Sequence, residues 1–420
     1  MHRARRAGAR GSAVRDDVRV EADAVAVQRR TLRVVVASQV LGGAGLAAGI
    51  TVGGLLAAQL LGGAVYAGLP VAALTLGSAA SAFLIGRGVQ RHGRRPALAT
   101  GFATGAVGAA GVVTAAAVGS APLLFVALVV YGAGSATNLQ ARYAGTDLAP
   151  PERRGTAVSI ALVSTTAGAV AGPNLVGATG AVATAWGLPA LAGPFLLAGT
   201  AYLAAGAVLA VLLRPDPYLL AKRLREAAPV RDAAAPSPLG RGVVVGATVL
   251  VISQVAMTAI MTMTPVHMAM HHQDLQAVGL VIGLHVAAMY LPSLGTGLLV
   301  DRLGRTRMAV AGAAVLLLAG VAAAVLGDSV AASATALVLL GLGWNIGLIT
   351  GTAMVVDATT PEQRGRVQGS VDVLVALSGA GGGAVSGVVA AAAGYGALAL
   401  GCGVVAVLLV PVVLLRRAAP

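Results

Sequence analysis

Two pairs of soft donor residues stand one helical turn apart, Met257-x3-Met261 and His285-x3-Met289. Six of the nine methionines and four of the six histidines fall between Met257 and Met289. Residues four apart share one face of a helix, with Cβ atoms about 6 Å apart, so each pair can turn two donors toward one point. Thioethers and imidazoles favour Cu(I) and reject Mg²⁺, Ca²⁺ and Mn²⁺, which take oxygen ligands. Zinc sites carry more His, Cys or carboxylate. The ordinary alternative is a packed core, because methionine fills apolar gaps and a buried imidazole is satisfied by a hydrogen bond. A second group, Met263, His267, Met268, Met270, His271 and His272, crowds the stretch after Met261. It reads either as a patch that gathers metal ahead of the four-residue site or as a His-rich solvated loop.

The elements that hold these residues must lie in lipid. Hydrophobic residues make up 57% of the 420 positions and charged residues 10%, with mean hydropathy +0.86. A soluble surface needs several times that charge. The 58 glycines and the 3% aromatic content suit helices that pack closely through small side chains. The single cysteine, Cys402, excludes an internal disulfide framework and a Cys-cluster metal site. Apolar runs of about 20 residues, enough to cross about 30 Å of hydrocarbon, occur at 33–56, 65–86, 97–118, 122–144, 157–180, 190–213, 242–265, 276–299, 308–327, 331–355, 368–391 and 395–415. The expected fold class is an all-α membrane protein of twelve transmembrane helices. Span 7 then carries Met257 and Met261, and span 8 carries His285 and Met289. Packed as antiparallel neighbours, the two spans would bring both pairs to similar depth near mid-membrane.

Positive charge sets the expected orientation. Arg3, Arg5, Arg6, Arg10, Arg29, Arg30 and Arg33, with the segments 87–95, 152–154, 214–241, 302–307, 364–366 and 416–417, hold nearly all of it. The alternate loops, at 57–64, 119–121, 181–189, 266–275, 328–330 and 392–394, contain no Lys or Arg. That asymmetry places both termini and the central linker in the cytoplasm and the chain in the plasma membrane. The net charge of +14 then reflects topology and anionic headgroups, and no nucleic-acid partner is expected. No cleavable signal is evident, because the first apolar run is long and an arginine-rich tail interrupted by Asp16, Asp17, Glu21 and Asp23 precedes it.

An internal repeat divides the chain. Gly86-x3-Gln90-Arg91-x-Gly93-Arg94-Arg95 recurs 211 residues later as Gly297-x3-Asp301-Arg302-x-Gly304-Arg305. Pro151-Glu152-x-Arg154-Gly155 recurs 210 residues later as Pro361-Glu362-x-Arg364-Gly365. The expected units are a basic tail (1–32), a six-helix bundle (33–213), a linker (214–241), a second bundle (242–415) and a short tail (416–420). Parallel repeats of this kind build transporters that rock around a midplane site.

On these two doubled loops the chain resembles the major facilitator superfamily over nearly its whole length. The resemblance implies two pseudo-symmetric six-helix bundles working as a functional monomer. It also implies a cytoplasmic gate carried by Arg91, Arg94, Arg95, Asp301, Arg302 and Arg305. Gln90 departs from the pattern, which usually has an acid there. MxxxM followed by HxxxM across spans 7 and 8 resembles the CcoA-like, or CalT, copper importers. That resemblance implies a copper ion as cargo, held by Met257, Met261, His285 and Met289, with no resident cofactor. Asp372 near the start of span 11 and Arg142 near the inner end of span 4, beside Asn138 and Gln140, are candidates for proton coupling. Snorkelling for Arg142 and an interfacial helix-start role for Asp372 stay open. Gly168-x3-Gly172-Pro173 partly resembles an antiporter motif, which supports an alternative, a proton-coupled exporter of small organic compounds. A non-transporting copper sensor or scaffold is a further alternative. No nucleophile–base pair, phosphate loop or paired acids point to an enzyme.

Overall fold

In a computed structural model, the described residues are 25–45, 52–53, 56–57, 59–61, 69–227, 240–273, 275–326 and 328–414. The start of the basic tail, the second part of the linker and the last six residues lie outside them. Among the described residues there are helices, turns and no strand. The helices are α1 (25–45), α2 (Leu69–His92), α3 (Arg94–Val118), α4 (Ala121–Ala144), α5 (Arg154–Asn174), α6 (Val176–Ala185), α7 (Gly193–Leu212), α8 (Pro217–Ala227), α9 (Arg241–Met270), α10 (Leu275–Tyr290), α11 (Ser293–Leu303), α12 (Arg305–Val325), α13 (Val330–Asp357), α14 (Pro361–Ala393), α15 (Tyr395–Val407) and α16 (Leu409–Leu414). Ten stretches are long and apolar enough to cross a membrane. Among the described residues these are ten of the twelve expected spans; α5 and α6, interrupted at Leu175, lie where the fifth is expected, and the first, 33–56, lies partly outside the described residues.

Local chemistry explains most boundaries. Ser120 and Ser329 cap α4 and α13, accepting from the backbone N–H of Leu123 and Ala332. Pro361 occupies the first position of α14, so span 11 begins a full two turns before its apolar run. Span 8 breaks between α10 and α11 at Leu291-Pro292, where proline lacks the N–H needed to continue the helix. Single glycines separate α2 from α3 and α11 from α12, Gly93 with φ 93° and Gly304 with φ 88°. Those values favour glycine over residues with a Cβ. Two expectations change. The outer His/Met group is mostly helix rather than loop, since α9 runs to Met270. The linker is partly folded, as α8, capped by Asp216 through the N–H groups of Tyr218 and Leu219.

Packing runs through small residues, as expected where no hydrophobic effect drives helices together. Gly77 lies against the backbone of Val129, and Gly105 against that of Gly134. The first half centres on Phe102, Tyr131, Phe195 and Tyr202, with ring centroids 5.4–5.6 Å apart. The second half centres on α13, whose residues from Gly343 to Val356 are all buried. Leu84, Val107, Val126, Leu203, Val325, Val388 and Val404 stand exposed around the outside. That much outward apolar surface is a lipid-facing coat.

Candidate functional site

The halves meet along two crosswise seams at the end that carries the basic loops. On one, Gly86 of α2 lies so close to Gly365 and Gly369 of α14 that a Cβ at any of the three would strike backbone. On the other, Gly297 of α11 lies equally close to Gly155 and Ser159 of α5. Glycines at these positions let charged side chains of one half reach the helix ends of the other.

Those charges form two related sets. Asp147 accepts from Arg94 of its own half, Nε at 2.8 Å and Nη2 at 3.2 Å, and pairs with Arg364 of the other half at 3.6 Å. Asp357 pairs with Arg305 of its own half at 3.0 Å and with Arg154 of the other half at 2.6 Å. Each residue of the first set has its repeat counterpart in the second, 210 or 211 positions away. The environments differ. The Asp147 set is buried, with no side chain more than 5% exposed, while Arg154 and Asp357 side chains are 16% and 27% exposed. Arg94 also donates to Gln368 of α14 at 2.5 Å, so it too bridges the halves.

The equivalent positions Gln90 and Asp301 do different work. Asp301 accepts from the N–H groups of Gly155 and Thr156, at 2.9 and 2.8 Å, and from the Thr156 hydroxyl at 2.8 Å. It therefore caps α5 from across the seam, where a helix start leaves free N–H groups. Gln90 donates its amide to the Glu362 carbonyl at 2.9 Å. There α14 has already begun at Pro361, so Gly365 has an intrahelical partner. An amide donor, not an acid, fits. Arg305 also bonds the Pro151 carbonyl, and Arg95 ties to Asp216 and the Ala210 carbonyl. Arg91 and Arg302 are exposed on the surface. Of the six expected gate residues, Arg94, Asp301 and Arg305 bridge the halves, Arg95 braces its own half, and Arg91 and Arg302 face out.

One layer deeper lies a buried ion pair. Arg142 of α4 donates through Nη2 to Asp372 Oδ1 of α14 at 2.8 Å, both side chains being at most 1% exposed. The guanidinium also meets the Tyr143 hydroxyl at 2.9 Å, Thr352 Oγ1 at 3.2 Å and the Leu139 carbonyl. Among the described residues, Asp372 Oδ2 is buried without a hydrogen-bond partner. Thr352 is the repeat counterpart of Arg142, so the guanidinium reaches across the pseudo-symmetry axis to its own equivalent position. Neither snorkelling nor an interfacial helix start describes these residues. Arg364, Gln368 and Asp372 recur every fourth residue, one stripe of α14 turned toward the first half.

The structure divides the soft-donor set. Met257 and Met289 are buried in one apolar cluster, with Met261 packed at its edge. His285 is fully buried, and its Nδ1 sits 2.7 Å from the Leu337 carbonyl. A carbonyl only accepts, so Nδ1 carries the proton and the bare Nε2, which has no partner among the described residues, is the free donor atom. Spans 7 and 8 are not the packed neighbours expected. α10 lies along α13, where Gly341 receives the His285 carbonyl, and meets α9 only marginally. The outer group also separates. Met268 is buried in an apolar cluster, Met263 is half-buried, and Met270 and His272 are exposed. His267 and His271 turn toward Asp328.

Polar groups that the spacing motifs did not single out complete the interior of the second half. Trp344 donates to Gln254 at 2.9 Å and meets Tyr290 edge-on at 5.9 Å. Asn345 donates to the Met289 carbonyl and to Ser293, at 2.7 and 2.8 Å.

Comparison with known proteins agrees with this architecture. The model of the Major Facilitator Superfamily matches residues 35–346 and 246–420. The uncharacterized MFS-type transporter YdeG of Bacillus subtilis (strain 168) is 56% identical over 93% of this chain and 92% of its own length. The riboflavin transporter RfnT of Brucella anthropi is 32% identical over 83% of this chain and 85% of its own. Among solved structures, the human organic anion transporter MFSD10 (TETRAN) superposes with a TM-score of 0.73 at 17% identity, covering 92% of this chain and all but 1% of that one. FucP in the outward conformation gives a TM-score of 0.67 at 16% identity, with 93% and 98% covered. These relatives are transporters and not enzymes, and none of them is described as a copper importer. The chain, a multi-pass protein of the lipid bilayer, belongs to the Major Facilitator Superfamily of secondary transporters.

Proposed function

We propose that the protein moves a small organic solute across the plasma membrane by alternating access, coupled to protons through Asp372 and Arg142. One observation carries the reading. The buried pair spans the two halves just behind the charged seams, and Asp372 keeps one carboxylate oxygen without a hydrogen bond. A buried acid whose partner lies on the other moving body changes its affinity for a proton when the bodies separate. The bundles 33–213 and 242–415 are the moving units, joined by the linker 214–241. The basic loops and both termini face the cytoplasm, following the positive-inside rule. The closed seams shut the end that carries the basic loops. The unit is a monomer and needs no resident cofactor.

The organic cargo is supported by the 32% identity to a riboflavin transporter and by the Trp344–Tyr290–Gln254 group, which offers ring faces and an amide in an aromatic-poor chain. The test uses purified protein in liposomes under an imposed proton gradient, with tritiated riboflavin as the first probe. Uptake that an uncoupler abolishes and Asp372→Asn removes is expected. Wild-type uptake no greater than that of empty liposomes removes the flavin cargo, and uptake indifferent to the uncoupler removes the coupling.

Copper import is the second reading, favoured by the free Nε2 of His285 in a core that also holds Met257, Met261 and Met289. Its Nδ1–H to carbonyl bond is the arrangement that orients a ligating imidazole. The marginal approach of α10 to α9 weighs against a single four-donor cage. Radioactive copper uptake equal in wild type, His285→Ala and Met257→Ala/Met261→Ala would sink it.

A further inference from the structure

The end of α9 and the short connection before α13 meet at the face opposite the basic loops, and they bring three donor groups together. His267 Nε2 lies 3.1 Å from Asp328 Oδ1, and His271 Nε2 lies 3.2 Å from Asp328 Oδ2. The donor atoms of all three lie within 4.8 Å of one another. The two imidazoles are 4.4 Å apart between centroids.

The hydrogen bonding around this group is incomplete in an informative way. His271 Nδ1 sits 2.8 Å from the His267 carbonyl. Since a carbonyl only accepts, Nδ1 carries the proton. A neutral His271 then turns the Nε2 lone pair at a carboxylate oxygen, which is two acceptors face to face. A cation must stand between them, either a proton on Nε2 or a metal ion. One proton on His271 Nε2, with a neutral His267 donating its Nε2–H to Asp328 Oδ1, completes the group, and so does one divalent ion held by both rings and the carboxylate together.

The spacing suits such an ion. Donors at about 2.0–2.1 Å from a tetrahedral metal are separated by about 3.3 Å, and the two histidine-to-carboxylate distances are already near that. His267 is held by stacking on Tyr395 at 4.3 Å, and Tyr395 is anchored to Thr264 at 2.9 Å. His271 and Asp328 are exposed, so they can close the remaining gap and leave a fourth position to water. Two imidazoles and a carboxylate select zinc and its neighbours, Co²⁺, Ni²⁺ and Cu²⁺, over Cu(I), which prefers sulfur.

We propose that His267, His271 and Asp328 form an external binding site for a divalent transition metal of the zinc class, separate from the central transport path. The bound ion ties the outer end of span 7 to the span 9–10 connection within the second half. It differs from the expected copper-gathering patch in its ligands, since Met263, Met268, Met270 and His272 take no part and Asp328 does.

The experiment uses full-length protein in detergent, stripped with EDTA and titrated with Co²⁺ and then Zn²⁺. Wild type should give the visible absorption of tetrahedral cobalt, displaced by zinc, and zinc should raise the unfolding temperature. Asp328→Asn and His271→Ala should each weaken zinc binding at least about tenfold. His272→Ala and His285→Gln should bind as wild type, and Asp328→Glu, which restores a carboxylate, should recover binding. Each variant is scored only as a monodisperse peak. Wild type without zinc-dependent change, or Asp328→Asn binding as wild type, overturns the proposal. Loss of binding in His285→Gln alone moves the site to the membrane centre and overturns it equally. No readout involves transport, so the result is separable from the cargo and coupling readings.

Discussion

Arg142 and Asp372, 230 residues apart in the chain, form an ion pair of 2.8 Å at the centre of the molecule with neither side chain more than 1% exposed. Removing one partner of a buried pair leaves an uncompensated charge at a cost of roughly 3–5 kcal/mol, while replacing both with apolar residues is often neutral. Arg142→Met and Asp372→Leu should therefore each lower thermal stability, and the double variant should regain much of it. Transport should be lost in all three. A double variant that still carries solute against a gradient would exclude the pair from coupling.

The two Asp sets give a sharper comparison. Asp147 is fully buried against Arg94 and Arg364, whereas Asp357 keeps 27% exposure against Arg154 and Arg305. Asp147→Asn strands buried guanidinium charge and should cost about 3–5 kcal/mol. Asp357→Asn should cost no more than about 1 kcal/mol, and less at high salt. Thermal unfolding in low and high salt measures both. Equal losses would mean that the repeat, not burial, sets the strength of the seams.

Much of this was legible in the sequence, and the gaps have physical causes. The twelve spans and the doubled loops follow from apolar length and from a 210-residue offset. Asp147 and Asp357 fall outside the two doubled motifs, although each stands four residues before the proline of its Pro-Glu-x-Arg-Gly loop. The offset alone would have matched them. The pairing of Arg142 with Asp372 has no local signal, because it depends on how the halves dock. The soft-donor cage assumed that consecutive spans pack together, yet α10 chose α13. Asp328 lies 57 residues beyond His271, so no spacing rule could join them.

Glycine contact at the α2–α14 seam predicts a conformational effect. A side chain on Gly369 would strike Gly86 and the Ala82 carbonyl, so Gly369→Leu should hold the basic-loop end open. In a Cys402→Ser background carrying Leu162→Cys, which is buried at 3% exposure, a membrane-impermeant maleimide applied from the cytoplasmic side should label the variant faster than its parent. Unchanged labelling would show that this seam opens and closes without the glycine contact.

Gln90 offers the last test, because its position invites the wrong repair. Matching the second half by Gln90→Asp looks like restoring a missing acid. At the equivalent place Asp301 finds the free N–H groups of Gly155 and Thr156, since α5 starts only at Arg154. α14 starts three residues earlier relative to the repeat, and what faces Gln90 is the Glu362 carbonyl. A carboxylate there meets an acceptor with no proton between them. Gln90→Asp should therefore loosen the closed seam and lower the unfolding temperature, while Asp301→Asn should lose a helix cap worth about 0.5–2 kcal/mol. Thermal unfolding of both variants decides the matter. A Gln90→Asp protein more stable than wild type would mean that Arg94 or Arg364 turns to meet the new acid, and that the first-half seam is weaker than its counterpart for want of one.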